Sequence, residues 1–371
     1  TIYNYIQNNI FQNKTIDNSV FDFGFWPGGD RDGNPYVTSE ITLKTAEKLK
    51  SSILKNYYRE LKQLKRKLTF DNIEVKIEDL EKKINNLLYS ENKLDSFNSN
   101  NFLKSLNEIH EIIIKEHNGL YEDLILDLIN KVKIFGFHFA SLDIRQDSRI
   151  HSKVFEEIIS HPNTSKYFNK SFDEYIKMNL DGKLVFLASL KGSVPLSIFK
   201  KGLALETLKS IEAMKLIQKN NGEKGSNRYI ISNCQSTQNI LELFALTRLC
   251  NWGKPKIDII PLFETIDDLK VCGEVMKSLY ENKEYIKHLG RRGGKQIVML
   301  GFSDGTKDGG YFMANWSIYQ AKKTLTKISE KFGLKIAFFD GRGGPPARGG
   351  GNTHEFYASL DSKIKADDIQ L

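Results

Sequence analysis

The 371-residue sequence predicts a helix-rich α/β protein whose strands are parallel and belong to a (β/α)8 TIM-type barrel with long helical insertions. Three observations predict it. From about residue 134, short apolar, β-prone runs alternate with helical stretches, the pattern of a parallel sheet. The runs are apolar on both faces, as strands covered on both sides require. Each run also ends in a polar or charged group: Asp143 and Arg145, then Asn233, Glu264, Asp304, and Asp340 with Arg342. A barrel draws its site from the carboxyl ends of several strands, whereas an open doubly wound sheet uses one switch point. Five runs ending this way favour the barrel. Five strands do not close an eight-stranded barrel, so the remainder is expected beyond the two ends of this chain.

The elements follow in order. The stretch "FGFWPGGDRDGNPYVTS" (23–39) is a loop, broken by Gly28, Gly29, Gly33 and Pro35. Residues 40–68 and 101–133 carry apolar residues at three and four spacing, shown by Leu103, Leu106, Ile109, Ile112 and Ile113 and by Leu124, Leu128 and Ile129. A polar stretch, "SENKLDSFNSNN" (90–101), joins them, so a long antiparallel helical pair is expected. The strand candidates are "FGFHFASLDI" (135–144), "RYIISN" (228–233), "IDIIPLF" (257–263), "QIVMLGF" (296–302) and "KIAFFD" (335–340). "KLVFLASL" (183–190) fits a strand or a helix, since Leu184, Leu187 and Leu190 share a helical face. Two domains are expected: 1–133, a glycine-rich active-site loop plus a helical pair, and 134–371, an incomplete barrel carrying the strand ends.

Composition narrows the function. Lys and Arg outnumber Asp and Glu by 54 to 46, and 40 % of residues are hydrophobic, which suits a globular protein with a real core. The excess of +8 is mild. Its densest run, "KQLKRK" (62–67), lies among Leu61, Leu64 and Leu68 and reads as the wet face of a helix, so nucleic acid is not an expected partner. Cys234, Cys250 and Cys272 form no ligand spacing, and an odd count fits a reducing cytoplasm. No apolar stretch approaches the ~20 residues of a membrane span, and no targeting segment is visible. The chain opens on Thr1 and stops at "DDIQL", so an internal piece of a longer protein is expected.

Two glycine-framed stretches stand out. "FFDGRGGPPARGGGNTH" (338–354) fails the dinucleotide fingerprint at Pro346 and fails the P-loop where Gly350 and Gly351 replace Lys and Ser/Thr. Its glycines still let backbone N–H groups approach an anion, and Arg342 and Arg348 can fork onto carboxylate or phosphate oxygens. "GFSDGTKDGG" (301–310) reads as a loop bearing Asp304, Lys307 and Asp308. Glu264 and Asp304 could share a hard cation with waters and substrate oxygens, or Asp304 could be salt-bridged to Lys307 or Arg342. Arg31 could serve an anion or merely pair with Asp30 and Asp32. Arg145 could do the same or pair with Asp143 or Asp147. So many cations on loops of one face suit a small ligand with several negative charges. Among the seven histidines His138 reads as core, and none is nominated as a general base.

Taken together, "FGFWPGGDRDGNPYVT", "SLDIRQDS", "RYIIS", "IIPLFETIDDL", "VMLGFSDGTKDGG" and "FFDGRGGPPARGGGNTH" closely resemble the phosphoenolpyruvate carboxylase family, in its order and spacing from residue 23 to residue 357. The resemblance implies a cytoplasmic carboxy-lyase with a barrel of the phosphoenolpyruvate-utilising kind, a homotetramer when complete, that replenishes the tricarboxylic acid cycle. It would join phosphoenolpyruvate and bicarbonate to give oxaloacetate and phosphate, with Mg²⁺ or Mn²⁺. It implies metal ligation by Glu264 and Asp304, an active-site lysine in Lys307, and substrate-anion contacts from Arg145 and, in second rank, Arg31. Arg342 would lie close to phosphate and bicarbonate, and Arg348 would belong to an inhibitory allosteric site. Phe302, Gly305 and Thr306 depart from the family's usual Tyr, Ser and Ala-like residues, and Asp340 stands where a histidine is usual. The family's catalytic histidine, in a Thr-Ala-His-Pro-Thr-Glu motif, has no counterpart in these residues, so the chain alone is expected to be inactive.

Overall fold

Apolar side chains three and four residues apart build the first of two compact units, which comprises Thr1–Pro27, Glu40–Leu142 and Lys215–Ser226. The computed structural model describes residues 6, 9–10, 21–90, 97–341, 353–364 and 368–370. A short strand β1 (Gly24–Phe25) is followed by four helices: α1 (Ser39–Lys67), α2 (Asp71–Tyr89), α3 (Ser99–His117) and α4 (Glu122–Phe135). Leu54, Tyr57, Leu61 and Leu64 of α1 meet Ile73, Ile77, Leu80 and Ile84 of α2 and Phe102, Leu106, Ile109 and Ile113 of α3 in one apolar core. The unit closes with β2 (Ser141–Leu142), which pairs in parallel with β1.

The predicted helical pair is thus four helices. Residues 71–89, which the sequence reading leaves out, have the same periodicity, with acidic Asp71 and Glu74 in the first turn to complement the helix dipole. The stretch 101–133 is divided because Asn118, Gly119 and Tyr121 all adopt positive φ (49°, 73° and 62°), which ends α3 and restarts the chain at α4. Asn98 caps α3 by accepting from the N–H groups of Asn100 and Asn101 at 3.0 and 3.1 Å.

The second unit comprises Gly28–Ser39, Asp143–Met214 and Asn227–Leu371. Its elements in chain order are β3 (Ile144–Asp147), α5 (Ser148–Ser160), α6 (Phe172–Lys177), α7 (Leu180–Ser189), α8 (Leu203–Asn221), β4 (Arg228–Ser232), α9 (Thr237–Leu249), β5 (Asp258–Phe263), α10 (Ile266–Glu281), α11 (Lys283–Arg291), β6 (Lys295–Gly301), α12 (Phe302–Lys331), β7 (Lys335–Gly341), α13 (Thr353–Ala358) and β8 (Ile369–Gln370). The last residues of α8 belong to the first unit. The six strands form one sheet in the order β3-β4-β5-β6-β7-β8, and every neighbouring pair is parallel. The order never reverses, so the described sheet has no topological switch point. The carboxyl ends of these six strands therefore lie along one edge. The strands are parallel, as the expected barrel requires; closure into a barrel is not seen among the described residues.

Strands β4 to β7 are buried along nearly their whole length, as the two-faced apolar runs require. The run at 135–144 is different. Helix α4 extends to Phe135, and Gly136 and Phe139 have φ of 47° and 67°, so only 141–142 and 144–147 are strand. Residues 183–190 resolve as part of helix α7 and the residue after it. The stretch 301–310 is not a loop: helix begins at Phe302, directly after β6, and is interrupted only at Gly310 (φ 78°, ψ 166°). Among the described residues no helix is long and apolar enough to cross a membrane.

One polar contact pins the first unit's core. The buried Tyr57 hydroxyl donates to the Gly136 carbonyl at 2.8 Å, where the backbone leaves α4. Tyr57→Phe should lower unfolding stability by about 1–2 kcal/mol, since it strands a buried acceptor while keeping the ring. Urea titration of the two proteins measures this, and coincident midpoints would show that the hydroxyl contributes nothing.

Candidate active site

The carboxyl ends of the strands gather the chemistry. Glu264 is the first residue after β5 and is partly buried. Its Oε2 accepts from the Asn233 backbone N–H at 2.7 Å. Asn233 follows β4 with φ 51°, and the Ser148 hydroxyl donates to its carbonyl at 2.6 Å, which fixes the unusual backbone that aims this N–H. On the other side, a Cβ on Gly301 would lie 3.1 Å from Glu264 Cα. The end of β6 can approach Glu264 this closely only as glycine.

Helix α10 starts two residues after Glu264. Thr265 caps it through Asp268, whose Oδ2 accepts from the Thr265 N–H at 3.0 Å and the Glu264 N–H at 3.3 Å. Asp308, from the first stretch of α12, accepts from the Ile266 N–H at 3.0 Å. Asp308 is therefore a helix-terminus partner that ties α12 to α10. Asp304 and Lys307 lie one turn apart on α12 and form an exposed ion pair at 2.9 Å. The salt-bridge alternative for Asp304 is thus present, with Lys307 as the partner.

The loop at 28–35 lies along β3. Arg31 N–H donates to the Arg145 carbonyl at 2.9 Å and Arg145 N–H to the Gly29 carbonyl at 3.1 Å. This pairing sets Asp30 beside Arg145. The Arg145 guanidinium then donates to both Asp30 oxygens, at 2.8 and 3.0 Å, and stands 3.7 Å from Asp32. Asp30 also accepts from the Asp32 N–H, an Asx turn. Asp143 and Asp147 bond Arg228 and Arg149. Arg31 is turned away: its side chain donates to the Glu206 carbonyl at 3.1 Å.

The charges interact. Burial pushes the Glu264 carboxyl above its ordinary range; the Asn233 N–H opposes this, Asp304 and Asp32 push further, and Arg145 pulls back. Burial opposes the Arg145 charge, but the Asp30 hydrogen bonds and the fields of Asp30, Asp32 and Glu264 more than offset it. Arg149, on the first turn of α5, also feels Asp32 and Glu264. Sequence reasoning missed Arg149; its only signal is a second guanidinium four positions after Arg145. The structure therefore groups Arg145, Asp32, Glu264, Asp304, Lys307 and Arg149, and leaves Arg31 beside α8. Arg342 and Arg348 lie outside the described residues.

Glu264 and Asp304 suit a hard divalent cation. Their mutual repulsion is what a cation relieves, and Glu264 Oε1 makes no hydrogen bond among the described residues. No group of three or more His, Cys, Asp or Glu able to hold a metal occurs among the described residues. Water and substrate oxygens would complete the coordination, as suits Mg²⁺.

Parallel strands in chain order, with carboxylates and guanidinium groups near their carboxyl ends, define an α/β protein with opposite charges gathered along one sheet edge. The family model described as phosphoenolpyruvate carboxylase matches residues 1–96 and 73–360, and the chain belongs to that family. It is 32 % identical over 386 residues to a phosphoenolpyruvate carboxylase of Nitrosomonas eutropha, covering 91 % of this chain and 41 % of that one. The figures are the same for the protein of that name from Nitrosomonas europaea, and identity is 29 % over 385 residues for the one from Rhodopseudomonas palustris. The chain spans about two-fifths of the length of the curated relatives it matches.

The raised Glu264 pKa has a consequence for stability. The folded state holds this proton more tightly than the unfolded chain, so Glu264 favours folding below its unfolded pKa and loses that contribution as pH rises through the folded one. Glu264→Gln should therefore raise the melting temperature at about pH 8, with the gain shrinking toward about pH 4. Scanning calorimetry at both pH values is the check, and a pH-independent difference would contradict the assignment.

Proposed function

We propose that this chain carries the substrate- and metal-binding strand ends of a phosphoenolpyruvate carboxylase, which joins phosphoenolpyruvate and bicarbonate to give oxaloacetate and phosphate. The observation that carries the reading is the partly buried Glu264, beside Arg145 and repelled by Asp304 and Asp32 at the carboxyl ends of parallel strands. In this reading the six strands are part of a (β/α)8 barrel. The assembled enzyme is a cytoplasmic homotetramer, a point that rests on family membership alone. The chain by itself makes no oxaloacetate, because the family's catalytic histidine motif does not occur in it.

The roles follow from the side chains. Glu264 and Asp304 hold Mg²⁺ or Mn²⁺; when bound, the ion supplies Lewis-acid stabilisation of negative charge on substrate oxygens. Arg145, fixed in orientation by Asp30, presents a planar cation to the substrate carboxylate or phosphate. Lys307 carries three donors on a flexible stem and can follow negative charge as it moves from the phosphoenol oxygen to the phosphoryl acceptor. Bicarbonate takes the phosphoryl group, leaving the enolate of pyruvate; carboxyphosphate releases CO₂ and phosphate, and the enolate carbon attacks CO₂. Arg342 serves the phosphate and bicarbonate. Arg31 is a positioning residue in this scheme, since its hydrogen bonds order the 28–35 loop against β3 and α8. Arg348 serves an inhibitory site for a dicarboxylate.

The test uses the full-length protein in a malate-dehydrogenase-coupled assay with labelled bicarbonate. Arg145→Ala and Lys307→Ala should each lower kcat/KM by roughly 10²-fold or more without loss of fold. Glu264→Gln and Asp304→Asn should be as damaging together as singly, because both serve one ion. Turnover of phosphoenolpyruvate that releases phosphate without incorporating label would overturn the carboxylase reading.

A further inference from the structure

Asn233, the residue after β4, is tied down through both atoms of the peptide group that follows it. Its carbonyl accepts from the Ser148 hydroxyl at 2.6 Å, and the Cys234 N–H donates to the Leu262 carbonyl of β5 at 3.2 Å. Between β4 and that peptide Asn233 takes φ 51°, a conformation that L residues adopt at a cost unless their neighbours hold it. In this conformation its own N–H meets Glu264 Oε2 at 2.7 Å, while Oε1 makes no hydrogen bond among the described residues.

Ser148 is itself a fixed donor. It is 2 % exposed and opens α5, whose N-cap Asp147 accepts from the Arg149 N–H at 2.7 Å. One turn later the Ser152 hydroxyl donates to Glu242 Oε2 at 2.5 Å, and the Gln238 side chain of α9 donates to Oε1 of the same buried carboxyl at 2.7 Å. These bonds lock the first turns of α5 against α9. On the other flank of Glu264, a Cβ on Gly301 would stand 3.4 Å from Cγ, so β6 leaves the side chain little room to turn away from the Asn233 N–H.

We propose that Ser148 and Asn233 are positioning residues that make the Glu264 site prefer a small divalent cation over a large one. An N–H held on Oε2 commits that oxygen to the protein and leaves Oε1 as the stronger donor to a cation. Mg²⁺ keeps near-octahedral geometry at about 2.0–2.1 Å and loses little when a carboxylate offers a single oxygen. Ca²⁺ takes about six to eight oxygens at roughly 2.3–2.6 Å and gains from a two-oxygen grip. The inference rests on the reading of Glu264 as a metal ligand, and adds which residues choose the metal.

The test is electron paramagnetic resonance of Mn²⁺ bound to the full-length protein and displaced by Mg²⁺ or by Ca²⁺, which needs no turnover. Ser148→Ala frees the Asn233 carbonyl, so the ratio of half-displacing Ca²⁺ to Mg²⁺ concentrations should fall roughly fivefold, the effect of a single lost hydrogen bond. Asn233→Ala keeps the N–H but disfavours positive φ; it should lower the ratio in the same direction, and it probes the same peptide if Ser148→Ala does not fold. Asn233→Gly keeps both the N–H and the backbone conformation and should retain the wild-type ratio. Ser152→Ala removes a hydroxyl from the same helix without touching Asn233, so it should lower the melting temperature and leave the ratio unchanged. A wild-type ratio in a folded, Mn²⁺-binding Ser148→Ala or Asn233→Ala protein would overturn the proposal alone. An equal fall in Ser152→Ala would overturn it too, because any loosening of α5 would then suffice. Failure of Mn²⁺ to bind the wild-type protein would overturn the metal reading of Glu264 and the proposal with it.

Discussion

The partial burial of Glu264 is the constraint on which the site depends. A carboxylate moved partly out of water, near two further acids, raises the free energy of the folded state unless something answers its charge. The fold supplies a limited answer in the Asn233 N–H and the field of Arg145. Both are consequences of the parallel sheet: β4 ends beside β5, and β3 brings Arg145 to the same edge. Gly301 then lets β6 close in on Glu264, and Asp304 arrives one helical turn later. The carboxylate pair stays under-compensated by protein groups, which is the condition for binding a cation.

The opposite ends of the strands show the contrast. Asp143, just before β3, bonds Arg228 at the start of β4 at 2.7 Å, and Asp258 at the start of β5 bonds Arg292 at 2.8 and 3.1 Å. These are close, largely buried pairs that hold strand starts together. At the carboxyl ends, pairing is shared and more exposed: Arg145 serves Asp30 and Asp32, and Lys307 pairs with Asp304. In α/β folds this asymmetry separates the stabilising face from the working face.

Much of this was legible in the sequence. The runs at 228–233, 257–263, 296–302 and 335–340 became β4 to β7 with boundaries shifted by one residue or so, because strands buried on both faces leave an unbroken apolar signature. Residues 135–144 misled because Phe135, Phe137 and Phe139 are apolar for a different reason: they pack on the helical core, along a chain path where Gly136 and Phe139 take positive φ. The glycines of 301–310 suggested a loop, yet helix forms through Gly305 and Gly309 and only Gly310 departs. That Glu264, Asp304, Lys307 and Arg145 fall at or just after strands was readable from the apolar runs beside them. The partner of Arg145 was not, since Asp30 and Arg145 lie far apart in the chain. Arg31 illustrates the limit: its motif is distinctive, but only the fold shows that its side chain serves the Glu206 carbonyl.

The central claim is that Glu264 and Asp304 share one divalent cation. Electron paramagnetic resonance of Mn²⁺ titrated into the protein counts bound ions directly and needs no turnover. The account predicts a single saturable site in the wild-type protein, lost in Glu264→Gln and equally lost in Asp304→Asn. Retention of wild-type Mn²⁺ binding in either folded variant would contradict it.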